Sequence, residues 1–294
     1  MLNGSIQKLL AIRSFEEDEW FGELIMVHIH IVGSGPRTGT TLLAEAMKFC
    51  CNIDYASEHE DKLFARPRQP VDMFLTKYPS DLFVVWPSLR VDPRLYVICL
   101  LRDPRDAVVS QHGKDKEQYW STLRYWQAFT PLIKAYQHHP RFIVIRYEDF
   151  ACEPDKIQRL LINRIPALEQ RYKFSDYHLV AKPSVESQHA LKQLRPISGA
   201  GIGAWKHHLP RIVQQLQAHG DISGSLIEFG YETDKAWLSA LTGIEASTTR
   251  SHLPEYFSEN ELRSRKKYRY VEALRRCLVR FKLLPSNFPR STQI

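Results

Sequence analysis

Val27-His28-Ile29-His30-Ile31-Val32-Gly33-Ser34-Gly35-Pro36-Arg37-Thr38-Gly39-Thr40-Thr41-Leu42-Leu43 decides the fold. An apolar run of β type enters a turn of small residues, and a segment rich in Ala, Leu and Met, good helix material, leaves it. A strand, a tight loop and a helix N-terminus in that order make an anion site, because free backbone N–H groups and the positive end of the helix dipole face whatever the loop encloses. The pattern predicts a strand over 27–32, with Val27, Ile29 and Ile31 on one face and His28 and His30 on the other, and a helix over 42–51. The His-x-His pair has no Cys or carboxylate at ligand spacing beside it, so no metal is expected.

The usual phosphate loop reads G-x-x-x-x-G-K-[ST]. Aligned on Gly39, this chain has Ser34 in place of the first glycine and Thr40 in place of the lysine, while Thr41 fits the last position. A nucleotide hydrolase without that lysine loses its contact to the β- and γ-phosphates. The cation stands instead at Arg37, inside the loop, which points to a different phosphate ligand. Pro36-Arg37-Thr38-Gly39-Thr40-Thr41 resembles the 5′-phosphosulfate loop of sulfotransferases that use 3′-phosphoadenosine 5′-phosphosulfate (PAPS), which reads Pro-Lys/Arg-Ser/Thr-Gly-Thr-Thr.

Outward from the loop, residues 72–77 lead into Tyr78-Pro79, where the proline ends any helix or strand. Residues 81–89 read as a short helix or a buried strand. The near-continuous apolar run 95–101 is how a parallel strand buried on both faces looks. It runs into Arg102, after which Asp103 is a helix N-cap with Pro104 at the first helical position. A charged residue at a strand's end and a hydroxyl on the next helix, here Arg102 and Ser110, can grip one anion together. A core-facing aromatic helix is predicted over 116–137, a third strand with a polar end over 141–150, and a further helix from 154. Strands alternating with helices give an α/β class: a phosphate-loop-type three-layer fold with a mostly parallel central sheet and helices on both faces. Ligands of such sheets bind outside the carboxyl ends of the strands. Residues 195–206 are glycine-rich and read as a loop, and 210–216 and 222–229 read as helical.

At 294 residues the chain holds one large α/β domain with an appended segment. The division expected is an N-terminal extension over 1–26, the main domain over 27–235, and a basic helical segment over 236–294. The five Cys form no C-x-x-C pair, so free thiols in a reducing compartment are expected, and with them a cytoplasmic protein. No run of 18 apolar residues appears, and Glu16-Glu17-Asp18-Glu19 is unlike a signal peptide. A net charge of +7 suggests an acidic ligand or an anionic surface. Much of it lies from Glu261 onward: Arg263, Arg265, Lys266, Lys267, Arg269, Arg275, Arg276, Arg280 and Lys282 stand against only Glu261 and Glu272, with Leu274, Leu278 and Phe281 as a partial apolar stripe. Such a helix can lie on an anionic membrane surface, hold an acidic substrate, or be a solvated basic face docked on the domain. Nucleic-acid binding through the tail is the weakest of the ideas it raises.

The resemblance to PAPS-dependent sulfotransferases covers about residues 27–235 and is closest to the bacterial and tyrosylprotein types. It implies that Arg37, Thr38, Gly39, Thr40 and Thr41 hold the 5′ end of the nucleotide. Arg102 with Ser110, eight residues on, matches the family's 3′-phosphate pair, and Lys114 an additional basic contact of the tyrosylprotein branch. Arg146-Tyr147-Glu148-Asp149-Phe150 resembles the family's Tyr-Glu-Asp-Leu segment, whose Tyr, here Tyr147, lies near the adenine. Gly203-Ala204-Trp205-Lys206 resembles the end of the loop that covers the nucleotide. Cytosolic aryl sulfotransferases have Arg-Lys-Gly where this chain has Ser198-Gly199-Ala200; Arg195 is the candidate for the missing charge. Lys77-Tyr78-Pro79 falls where the tyrosylprotein enzymes have a catalytic Lys-Asp-Pro, so Lys77 and Arg37 are the candidates for the leaving oxygen. The aryl enzymes' catalytic His has no counterpart in Thr76-Lys77-Tyr78. Glu58, seventeen residues after Thr41, matches the tyrosylprotein base, with Glu60 as second choice. The implied reaction is sulfuryl transfer from PAPS to a hydroxyl, on a carbohydrate or small metabolite, without metal. Sulfation of a protein tyrosine or an amine stays open. The rivals are an ATP-dependent small-molecule kinase, which the missing loop lysine counts against, and a non-catalytic nucleotide-binding protein.

Overall fold

Five parallel strands form the centre of the molecule in the order β2-β3-β1-β4-β5. They are β1 Val27–Gly33, β2 Tyr55–Ala56, β3 Met73–Lys77, β4 Leu95–Leu101 and β5 Phe142–Arg146. The computed structural model describes residues 27–67, 70–111, 117–281 and 283. Eleven helices are described with them. These are α1 Thr40–Cys50, α2 Val85–Val91, α3 Pro104–Val108, α4 Arg124–Tyr136, α5 Tyr147–Cys152, α6 Pro154–Arg164, α7 Tyr177–Val180, α8 Val185–Leu191, α9 Leu209–His219, α10 Ser223–Glu228 and α11 Glu259–Arg280.

The period-2 alternation of the strands sorts the core into two layers. Ile29 and Ile31 of β1, Ile98 and Leu100 of β4, and Ile143 and Ile145 of β5 face one way, onto residues of α1, α5, α6 and α7. Val32, Val97, Cys99, Leu101 and Phe142 face the other way, onto α2, α4, α9 and α10. The expected three-layer α/β class is therefore what the chain forms, with every strand pairing parallel. The five cysteines are all free.

Local outcomes follow from particular contacts. Gly39 takes a left-handed backbone (φ 91°), so α1 begins at Thr40, two residues before the predicted start. The 81–89 stretch is helical: a 3₁₀ turn over Pro79–Phe83 followed by α2. The predicted 116–137 helix is shorter, beginning at Arg124. Leu123 N–H is claimed by Gln215 Oε1 at 2.8 Å and Trp120 N–H by the Ser110 carbonyl at 3.1 Å, which holds 117–123 outside the helix. The third strand stops at Arg146; Tyr147 opens α5, with Glu148 and Asp149 in the first turn where the helix dipole favours carboxylates. Ser110 lies beyond the end of α3, whose C-cap is Val109, rather than on the helix.

Residues from 236 share this core. Trp237 is 8% exposed and donates its indole N–H to Ser223 Oγ at 3.0 Å. The docked face of α11 is Glu272, Ala273 and Arg276. Arg276 donates to Asp92 Oδ2 (2.8 Å), Glu272 Oε1 (2.8 Å), the Leu63 carbonyl (2.9 Å) and His28 Nδ1 (3.0 Å). That last bond leaves the His28 Nε2 proton for Thr76 Oγ1 at 2.6 Å, and Thr76 in turn meets His30 Nδ1 at 2.7 Å. The two histidines of β1 are thus core groups that tie α11 to the sheet. Burial, reinforced by the Arg276 charge, holds the His28 pKa well below its ordinary value.

Burial alone pushes the Asp92 carboxyl up, but the Arg276 and Arg94 guanidiniums outweigh it and hold it below the usual carboxylate range. Arg276→Met is therefore expected to destabilise the fold by about 3 kcal/mol, since one partner of a buried ion pair is left behind. Arg94 on Asp92, and Arg66 and Arg275 on Glu272, keep the loss at that level. Urea unfolding of the full chain, read as a lower midpoint at unchanged slope, checks it.

Candidate active site

The strand order reverses around β1, whose neighbours β3 and β4 are reached in opposite directions along the sheet. The carboxyl ends of β1, β3, β4 and β5 deliver the phosphate loop, Lys77, Arg102 and Tyr147 to one place, the crevice where open parallel sheets hold ligands. A cavity of about 570 Å³ opens there, lined by Arg37, Gly39, Thr40, Thr41, Arg102 and Tyr147 among others.

The loop is packed too closely to carry side chains at its glycines. A Cβ on Gly33 would lie 2.2 Å from Thr38 Oγ1, and one on Gly39 would lie 2.4 Å from the Tyr147 ring. Thr38 is 1% exposed and donates its hydroxyl to the Gly35 carbonyl at 2.8 Å, so it braces the loop from within. Thr40 and Thr41 face the cavity. Arg37 takes a left-handed backbone (φ 67°), a strained choice for a side-chain-bearing residue that turns its guanidinium across the site.

Two guanidiniums meet there. Arg37 Nε donates to Ser110 Oγ at 3.1 Å, and its terminal nitrogens donate to the Gln111 and Ala190 carbonyls, both at 3.3 Å. Arg102 donates to the Arg37 carbonyl at 2.8 Å and to the Gly201 carbonyl at 3.1 Å, and lies 4.4 Å over the Tyr147 ring. Its Nε is buried without a hydrogen-bond partner. Among the described residues neither arginine pairs with a carboxylate. Burial, reinforced by the Arg102 charge, lowers the Arg37 pKa to about 10. Two cations held close with only neutral acceptors among the described residues can take up an anion.

Lys77 ends β3 and is 1% exposed. Its Nζ donates to Thr41 Oγ1 at 3.2 Å and to Glu60 Oε1 at 2.9 Å, which joins the helix-α1 terminus to the carboxylate. Burial lowers the lysine's pKa, and the Glu60 charge acts in the opposite sense without overcoming it. Arg37 is bonded to Ser110, beside Arg102, and its charge also acts on Lys77, adding to the effect of burial on the lysine.

Glu58 is exposed, its carbonyl accepts from Ser184 Oγ at 3.1 Å, and it is not among the residues that line the cavity. Glu60, two residues on, lines it. Beside them lies a group the sequence reading did not anticipate. Ser187 donates to the buried Glu45 Oε1 at 2.7 Å and meets His59 Nδ1 at 3.3 Å. Burial raises the Glu45 pKa against the effect of that hydrogen bond. A Glu inside the apolar pattern of α1 is the one trace of it in the sequence.

The 195–206 loop lies across the strand tips. Asp106 accepts from Gly203 N–H at 2.8 Å and from Trp205 N–H at 3.0 Å, and Arg102 holds Gly201. Arg195 and Ser198 line the cavity. Trp205 does not: it is 6% exposed, packed beneath the Arg105 guanidinium at 4.2 Å, and anchors the loop from below. Lys206 is exposed on the outer side, away from the cavity lining. Lys114 lies outside the described residues. The remaining wall is aromatic, with Tyr78, Trp120, Tyr125 and His208, and Trp120 is stacked on His252 at 3.9 Å. Among the described residues no group of three or more His, Cys, Asp or Glu is placed to hold a metal, and no helix is long and apolar enough to cross a membrane.

No family model and no curated protein sequence matches the chain. Among solved structures it is similar to a sulfotransferase domain from the curacin biosynthetic pathway, at 13% identity and a TM-score of 0.33, covering 63% of this chain and 97% of that one. It is also similar to retinol dehydratase in complex with androsterone and the inactive cofactor PAP, at 13% identity and a TM-score of 0.28, covering 90% of this chain and 83% of that one. Overlaps of that size carry no argument about the reaction.

Proposed function

We propose that the chain is a sulfotransferase that moves the sulfuryl group of PAPS to a hydroxyl acceptor. The observation that carries this reading is the pair of guanidiniums, Arg37 and Arg102, converging with Ser110 and without a carboxylate partner, next to a phosphate loop that has Thr40 in place of its lysine. A donor with phosphates at both ends of its ribose matches two cationic centres, one at Arg37, Arg102 and Ser110 and one at Lys77 with the α1 N-terminus. Tyr147 offers a ring face to the adenine, and Arg195 and Ser198 close over the nucleotide from the loop. Thr38, Trp205 and Lys206, by their placement, act on the loops or lie outside the cavity.

Sulfuryl transfer resembles phosphoryl transfer: in-line attack, a loose transition state and charge gathering on the leaving oxygen. Glu60 takes the acceptor's hydroxyl proton as the new O–S bond forms. The bridging O–S bond breaks with its electron pair moving to the 5′-phosphate, where the Lys77 ammonium and the loop N–H groups meet the charge. The aromatic wall of Tyr78, Trp120 and Tyr125 suits a sugar or other ring-bearing metabolite, and the free thiols fit a cytoplasmic setting.

Calorimetry with 3′-phosphoadenosine 5′-phosphate against ATP–Mg²⁺ tests the reading. The bisphosphate is expected to bind and the triphosphate to bind far more weakly. Arg102→Ala and Arg37→Ala are each expected to cost about 1.5–3 kcal/mol of that affinity, the loss of charged hydrogen bonds. Preference for ATP–Mg²⁺, or affinity indifferent to both substitutions, would replace the sulfotransferase by a kinase or another nucleotide-binding protein.

A further inference from the structure

Helix α11 has two faces, and among the described residues only one packs on the rest of the chain. Inward, Glu272, Ala273 and Arg276 are buried and Arg265 donates to the Ser80 carbonyl at 3.0 Å. Outward, Arg263, Lys267, Tyr270, Leu274 and Phe281 follow the spacing that keeps residues on one side of an α-helix. They are solvent-exposed, Leu274 to 62% and Phe281 to 67%. Tyr270 and Val271 are half exposed beside them, with Leu262 at the near end and Leu283 at the far end. The outer face therefore divides along its length. Its first half is basic, with Arg263, Lys266 and Lys267, and its second half is mostly apolar, with Arg280 exposed at its end.

Of the acids of the helix, only Glu259 meets the basic half of the outer face. Glu261 is bound to Arg265, and Glu272 is buried against Arg66 and Arg276. Glu259 pairs with Arg263 at the first turn. From 262 to 281 the exposed surface carries no acidic residue.

We propose that the outer face of α11 docks on an anionic lipid surface. The charge favours that occupant: a basic half meets anionic headgroups while Tyr270, Leu274 and Phe281 enter the headgroup–acyl boundary, and the helix axis lies in the plane of the interface. Apolar surface alone would suit a second copy of the chain, but copies paired in parallel would bring Arg263, Lys266 and Lys267 against their own kind, and copies paired antiparallel would bury those charges against Leu274 and Phe281. Arg265 links this helix to Ser80, which lines the cavity, so the membrane-facing element is bonded directly to the wall of the site.

Co-sedimentation of the full chain with vesicles tests the proposal. Vesicles of phosphatidylcholine mixed with phosphatidylserine should pellet the protein, phosphatidylcholine alone should not, and raised salt should release it. The double variants Lys266→Glu/Lys267→Glu and Leu274→Glu/Phe281→Glu should each weaken binding by about tenfold or more. All four positions are exposed, so thermal midpoint and affinity for 3′-phosphoadenosine 5′-phosphate should stay as in the parent; loss of the latter in the parent itself would count against the sulfotransferase reading and not against this one. Binding that ignores the phosphatidylserine, or variants that bind like the parent, would overturn the proposal. So would a dimer in sedimentation equilibrium that Leu274→Glu/Phe281→Glu dissociates, since the occupant would then be a second copy.

Discussion

Lys77→Met is expected to lower kcat for sulfate transfer by about 10²–10³-fold while leaving affinity for 3′-phosphoadenosine 5′-phosphate within a few-fold. Lys77 is 1% exposed and its ammonium lies between Thr41 Oγ1 and Glu60 Oε1, where the proposed donor would bring its 5′ end. Negative charge collects on the bridging oxygen only as the O–S bond breaks. An interaction made there chiefly in the transition state raises turnover and adds little to binding. Methionine keeps the length of the stem, so packing at the end of β3 is preserved, and the Glu60 carboxylate, 38% exposed, is left in water rather than stranded in the core. Single-turnover transfer measured beside calorimetric affinity separates the two quantities. Unchanged turnover would remove Lys77 from the mechanism. A parallel fall in affinity would make it a binding residue.

What could be read in the sequence depended on how local its cause was. β1, the loop and the start of α1 are encoded by alternation, small residues and a left-handed glycine within thirteen positions, 27–39. β4 is legible because a strand covered on both faces has to be apolar throughout. What was not legible has distant causes. Residues 117–123 stay out of α4 because Gln215, 92 positions away, takes the Leu123 amide. What holds Arg37 is equally distant: its guanidinium meets Ser110, 73 positions on, from a left-handed backbone that no motif specifies. Trp205 and Lys206 match a nucleotide loop letter by letter. The carboxylate that fixes that loop, Asp106, belongs to α3, and it holds the tryptophan underneath and leaves the lysine outside. The basic tail was readable as amphipathic. Which side faced the protein was not, because the docked side is chosen by Asp92 and His28, which no periodicity within the helix reveals.

The choice between Glu58 and Glu60 is of the same kind, and it gives the second large expected effect. Ser184, at the start of α8, donates to the Glu58 carbonyl from 126 positions away, and Glu60 rather than Glu58 is among the residues lining the cavity. Glu60→Gln is expected to lower kcat by about 10²–10⁴-fold, the usual contribution of a positioned base, while Glu58→Gln stays within about twofold, as exposed side chains outside a site do. A second consequence separates proton abstraction from mere support of Lys77. The lysine acts in its protonated form, and burial already sets its pKa below that of an ordinary lysine, with Glu60 the foremost opposing influence. Removing that carboxylate moves the pKa further down. The alkaline limb of the residual kcat in Glu60→Gln should therefore fall at lower pH than in the parent, because Lys77 loses its proton earlier as pH rises. A pH profile of single-turnover rates in both proteins measures this. A base that also sustains its neighbour's charge predicts a large loss and a shifted limb together. If the limb moves and the rate at its plateau does not fall, Glu60 only holds Lys77 and the base is another group of the cavity. If Glu58→Gln carries the loss instead, the Glu58 side chain must enter the cavity when substrate binds.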